Sequence, residues 1–123
     1  MFTNEPLTDF TRDDNRRQME KALSEVEAGI QAGTLRAFPV IDSKEFKTST
    51  EYRREDPGAP KIIVGRTHLA GKSEANLAIS SVTKGAADWE ETPSYRRAAI
   101  LRSAAADMRD RKMFLSALIV REA

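Results

Sequence analysis

Five residues near the middle of the chain, Asp56-Pro57-Gly58-Ala59-Pro60, limit its fold more than any other stretch. A proline has a fixed φ and no N–H to donate, so two of them around a glycine exclude a helix interior and mark a turn. The backbone must turn here. Apolar residues recur at helical spacing well before this turn, form short β-type runs on either side of it, and return to helical spacing after it. That change of period predicts an α+β chain: a long helix, short antiparallel strands or hairpins, then two to three helices.

Residues 1–10, with Pro6, Phe2 and Phe10, read as an extended arm pinned by the two phenylalanines. The helix expected over 11–33 opens on Thr11-Arg12-Asp13-Asp14, a capping-box-like start with acids in the first turn. Its apolar stripe is Met19, Ala22, Leu23, Val26 and Ile30, and Gly33 is its stop. Antiparallel strands are expected over 37–69. Phe38-Pro39-Val40-Ile41 and Glu45-Phe46-Lys47-Thr48 form a hairpin around the turn Asp42-Ser43-Lys44. Lys61 to Leu69, with Ile62-Ile63-Val64, pairs back on the strand before it.

Helices fill 71–123. Gly71-Lys72-Ser73-Glu74 opens one over Ser73–Ala87, with the stripe Ala75, Ala78, Ile79, Val82 and Ala86. Thr92-Pro93 starts the next, over Thr92–Arg111, with Ile100, Leu101, Ala104, Ala105 and Met108 expected on its buried face. Lys112-Met113 marks a bend, and Leu115, Leu118 and Ile119 begin a fourth helix that is still running at Ala123. The whole of 1–123 reads as a single incomplete domain.

Composition narrows the function. Twenty basic against nineteen acidic residues leave a net charge of +1, without the basic excess of a nucleic-acid binder. There is no cysteine, so a thiol nucleophile, a disulfide and a cysteine-ligated zinc site are all excluded. No run approaches the roughly 20 apolar residues of a membrane helix, and no secretion signal opens the chain. A soluble cytoplasmic protein is the default expectation.

Trp89-Glu90-Glu91-Thr92-Pro93, followed by Arg97-Ala98 and Leu101, resembles the W-x-x-T-P-x-x-x-R-A-x-x-L stretch of aldehyde dehydrogenases. Asp56-Pro57 with Ile63-Val64-Gly65-Arg66 looks like that family's N-P-x-x-x-x-x-V-G-x strand and turn, with aspartate where asparagine is usual. Phe2-Thr3-Asn4-Glu5-Pro6 and Phe10 resemble the F-x-N-E-P arm of the pyrroline-5-carboxylate dehydrogenase branch, which also has a long first helix. The features are colinear and span essentially the whole chain.

The resemblance implies a parent enzyme that oxidises glutamate γ-semialdehyde with NAD, in proline catabolism. It also implies what this chain lacks. The family attacks the aldehyde with a cysteine thiolate, deacylates with a glutamate base, and holds the oxyanion on an asparagine. Its cofactor sits on a Rossmann-type sheet with a glycine-bearing turn. All of these lie further along than Ala123, no G-x-G-x-x-G occurs, and the six glycines stand singly. In some members an acid at the position of Glu122 helps hold a structural cation, with further ligands near the Asp56-Pro57 turn. Half a site is no basis for assigning a metal here. No catalytic, cofactor-binding or metal residue is therefore assigned, and no bound cofactor is expected.

Other residues invite chemical readings and are better explained without them. His68, the one histidine, reads as a strand-end or surface residue because no nucleophile can be paired with it. Ser80-Ser81 and Thr83-Lys84 read as the polar face of a helix. Lys44-Glu45 and Arg53-Arg54-Glu55-Asp56 alternate in sign, as solvated faces do. Trp89 reads as core packing between two helices. Arg96-Arg97, Arg102, Arg109 and Arg111-Lys112 make a basic side whose interleaved Glu90, Glu91, Asp107 and Asp110 suggest salt-bridged exposure.

Two functions remain open. The chain is a fragment, truncated form or split half of such a dehydrogenase, inactive alone, or it is a binding or regulatory module that pairs with itself or with a full-length homologue.

Overall fold

The computed structural model describes residues 3–123. Its elements run α1 (Asp13–Ala32), β1 (Arg36–Ala37), β2 (Val40–Ile41), β3 (Lys44–Glu45), β4 (Glu51–Asp56), β5 (Ala59–His68), α2 (Lys72–Glu91), α3 (Ser94–Asp110) and α4 (Lys112–Glu122). The α+β expectation holds. β4 and β5 pair antiparallel around the Asp56-Pro57-Gly58 turn. Asp56 Oδ1 accepts the N–H groups of Gly58 at 2.8 Å and Ala59 at 3.2 Å, so the aspartate closes the turn that the prolines require.

The sheet departs from the all-antiparallel expectation. Its order is β1-β5-β4, and β1 runs parallel to β5, with Arg36 opposite Arg66 and Ala37 opposite Thr67. Gly65 makes this approach possible, because a Cβ there would lie 3.3 Å from the Leu35 carbonyl oxygen. That same carbonyl accepts the Arg66 N–H at 3.0 Å. The separate β2–β3 hairpin is shorter than expected, and Lys44 is in the strand rather than the turn. Asp42 and Ser43 alone make the reversal, both with positive φ (51° and 59°), the twist a two-residue hairpin needs.

α1 stops at Gly33, whose φ of 64° is a left-handed cap. Its start differs from the expected box. The cap position is Arg12, while Thr11 donates both its N–H and its hydroxyl to Asp9. Thr92 likewise ends α2 rather than opening α3, its hydroxyl donating to the Asp88 carbonyl at 2.7 Å.

The core lies where α4 crosses α1. Ala22, Val26 and Ala117 are buried there, with Met19, Leu23, Ile30, Leu35, Met113, Phe114 and Leu118 packed around them. The fourth helix's stripe is thus split. Leu118 turns inward onto α1, and Ile119 faces solvent. The stripes of α2 and α3 are not buried at all: neither helix contains a buried residue, and Ile79 (65%) and Leu101 (71%) are well exposed. Helical period identifies a face, but among the described residues no element buries either of these two.

The arm is held differently from expectation. Phe2 lies outside the described residues, and Phe10 is 46% exposed. Glu5 does the pinning. Its carboxylate accepts from Arg109 Nε at 3.0 Å and pairs with Lys112 Nζ at 3.5 Å, at the joint between α3 and α4.

Candidate functional site

The most constructed polar site is a three-element joint. Arg121, near the end of α4, places Nη1 3.2 Å from Asp56 Oδ2 and Nη2 3.3 Å from Glu27 Oε2. One guanidinium thereby ties α4 to the β4–β5 turn and to α1. Arg54 donates to the carbonyl of Glu122 in the last turn of the same helix, where a cation complements the helix dipole. Asp56 has no role in a solvated face, as its sign alternation suggested. It is half-buried and uses one oxygen for the turn and the other for Arg121.

This joint bears on the cation implied by the resemblance. No group of three or more metal-ligating side chains occurs among the described residues. The two carboxylates that converge here are already met by the Arg121 guanidinium, so these residues do not fit a bound cation. The charge needed to hold the turn to the helices is built into the chain.

The strand-to-helix turn after β5 bears on the dinucleotide. Such a turn can cradle a pyrophosphate on free N–H groups. Here the Gly71 N–H donates to Glu74 Oε2 at 2.7 Å, and the Ser73 hydroxyl donates to Oε1 at 2.9 Å. These bonds, the Gly71 N–H first, hold the Glu74 carboxyl below the usual glutamate value. The helix start is occupied by its own anion and does not fit a phosphate.

His68 is at the end of β5, as expected, but it is buried (6% exposed) rather than on the surface. Its ring stacks on Phe38 with centroids 4.8 Å apart, and Nδ1–H donates to the Thr48 carbonyl at 2.8 Å. Nε2 is buried without a partner among the described residues. The stack closes the loop between the hairpin and β4, a structural role. Ser80, Ser81 and Lys84 line a cleft of about 400 Å³ between α2 and the hairpin, beside Ile41, Phe46 and Leu77. Thr83 donates to the Ile79 carbonyl, as an ordinary helical threonine does. Among the described residues no hydrogen bond joins either serine to Lys84, so no activated nucleophile is assembled.

Trp89 is 48% exposed and does not fill a joint between helices; the Arg97 guanidinium lies 5.9 Å from its ring centroid. The basic side of α3 is not paired by its interleaved acids. Glu5 neutralises Arg109 and Lys112, Arg111 lies over Phe114, and Arg96 and Arg102 meet no carboxylate among the described residues. Glu5 and Arg121 are the organising residues that sequence reasoning missed. Their partners lie 104 and 65 or more positions away, beyond any local pattern.

Comparison with known proteins agrees with this arrangement. The aldehyde dehydrogenase family pattern matches residues 44–123. Over 123 aligned residues, 99% of this chain, it is 37% identical to the 1-pyrroline-5-carboxylate dehydrogenase of Geobacillus sp. (strain WCH70) and 32% identical to that of Bacillus pumilus. A solved 1-pyrroline-5-carboxylate dehydrogenase from Thermus thermophilus superposes with a TM-score of 0.88 at 35% identity, over 98% of this chain. The Thermus enzyme with bound NAD gives 0.85 at the same identity. In each curated relative the match is to the N-terminal portion and spans 23% of its length. The chain belongs to the aldehyde dehydrogenase family.

Proposed function

We propose that this chain is the N-terminal segment of an NAD-dependent 1-pyrroline-5-carboxylate dehydrogenase and carries out no oxidation by itself. The observation that carries the reading is the colinear match to the Thermus thermophilus enzyme, 98% of this chain against 23% of that one. In the parent, a cytoplasmic enzyme converting glutamate γ-semialdehyde to glutamate, the segment is part of a larger cofactor domain and braces its flank. The absence of any cysteine supports the second half of the proposal, since the family's thiolate attack has no counterpart here. The Glu74-filled helix start supports it too, because an anion in that place repels a pyrophosphate.

Two assays test this. The purified chain, given NAD and glutamate semialdehyde, is expected to form no NADH above background. A chimera in which this chain replaces the matched N-terminal part of the Geobacillus relative is expected to turn over. A folded but inactive chimera, or turnover by the chain alone, overturns the reading. The solvent-facing stripes on α2 and α3 favour a second reading, a module that pairs with itself or with a full-length dehydrogenase.

A further inference from the structure

Basic side chains gather at one place that the Arg121 joint does not explain. A cleft of about 280 Å³ opens between the sheet and α4, and Arg36 of β1, Arg54 of β4, Arg66 of β5 and Arg111 of the α3–α4 joint all line it. The whole chain has a net charge of only +1, so four guanidinium groups around one small space are a local concentration and not general basicity. Among the described residues Arg36, Arg54 and Arg111 pair with no carboxylate, and Arg66 pairs with Glu51 at 2.7 Å. One acid, Glu122, lines the cleft, and its carboxylate is in no ion pair among the described residues. Even with Glu51 counted, the cations exceed the carboxylates by two. Donors are left over as well. Arg36 gives Nε to the Gly33 carbonyl and Arg54 gives Nη2 to that of Glu122, while a guanidinium has five N–H groups.

We propose that this cleft binds a small phosphorylated anion. Like charges held around one space repel each other, and an anion among them turns that repulsion into attraction. The donors come from four separate segments of the chain. A tetrahedral phosphoryl group presents oxygens in several directions, where a planar carboxylate presents two in one plane, so donors placed this way match phosphate better. Leu35, Leu115 and Leu118 complete the wall and take a small apolar body attached to that group. Glu122 opposes the anion and sets its affinity lower than the arginines alone would.

The test is calorimetric titration of the purified chain with sodium pyrophosphate, at an ionic strength held constant with sodium chloride. Saturable one-to-one binding is expected, with a melting temperature that rises as pyrophosphate is added. Arg36→Gln and Arg111→Gln, which break no ion pair, are each expected to weaken binding roughly tenfold while melting like wild type without ligand. Glu122→Gln is expected to act in the opposite sense and tighten binding, because it removes the lining carboxylate. Arg96→Gln and Arg102→Gln, outside the cleft, are the controls and are expected to leave the affinity unchanged. No saturable binding by the wild-type chain overturns the inference. An equal loss in the control variants also overturns it, by reducing the effect to net charge. Citrate binding more tightly than pyrophosphate overturns the assignment to phosphoryl groups. Where an arginine variant fails to fold, Glu122→Gln decides, and unchanged or weaker binding in it overturns the site. Binding is read on the chain itself, so the result is independent of whether the dehydrogenase chimera turns over.

Discussion

α1 and α3 are equally polar on average and similar in length, 20 and 17 residues, yet α1 buries Ala22 and Val26 while α3 buries nothing. α1 sorts its apolar residues to one face more sharply than α3 does, and that face is crossed by another helix. α4 returns across α1 with Ala117 at the contact, a side chain small enough for two helices to approach closely. α3 touches α4 at their joint, where the Glu5 arm holds it, and at its start Arg97 lies over Trp89 of α2. An amphipathic helix states a need for cover, and whether the need is met depends on a distant part of the chain.

The largest test of that contrast exchanges a matched pair of substitutions. Val26→Asp places an unpaired carboxylate in a site with no exposed surface and is expected to cost about 3 kcal/mol or more, enough to unfold the α1–α4 core. Leu101→Asp in α3 is expected to change stability by about 0.5 kcal/mol or less. Urea unfolding of both variants checks this, and equal costs would mean that α3 is covered after all. Next in size is Arg121→Met, which leaves Asp56 and Glu27 without their cation and is expected to cost about 2 kcal/mol. A double-mutant cycle with Asp56→Asn should show coupling, and additive effects would reduce the joint to a surface ion pair.

A smaller effect of opposite sign is expected on the uncovered side. Gly85 lies inside α2 with open space where its Cβ would be, so Gly85→Ala should stabilise the isolated chain by about 0.5–1 kcal/mol. If the same change lowers turnover by the chimera, that open space is filled by the rest of the parent chain. The smallest effect concerns pH. The Gly71 N–H and Ser73 hydroxyl stabilise the Glu74 anion, so its folded pKa lies below the ordinary 4.5. Its contribution is therefore complete above about pH 4.5 and is lost as pH falls through the lowered value. Amide exchange at Gly71 should quicken on acidification there, and Glu74→Gln should remove that dependence. An unchanged acid response in the variant would place the titration elsewhere.

Much of this was legible in the sequence because it depends on neighbours. The turn at Asp56-Pro57-Gly58 follows from the fixed φ and missing N–H of Pro57, and Gly33 ends α1 because a left-handed residue costs glycine little. The helical periods of α1 and α2, the hairpin at Asp42-Ser43, and the Trp89-to-Leu101 motif are likewise local, so they survive whatever the chain packs against. The parallel pairing of β1, the burial of His68 under Phe38, and the Arg121 bridge to Glu27 and Asp56 were not legible. Each joins residues far apart in the chain, and short-range periodicity carries no record of such meetings. Burial was the plainest divide. The stripes on α1 and α2 have the same intervals and that on α3 is also helical, but hydrophobic free energy is released only where apolar surface actually leaves water, and among the described residues only α1 of the three contains buried ones.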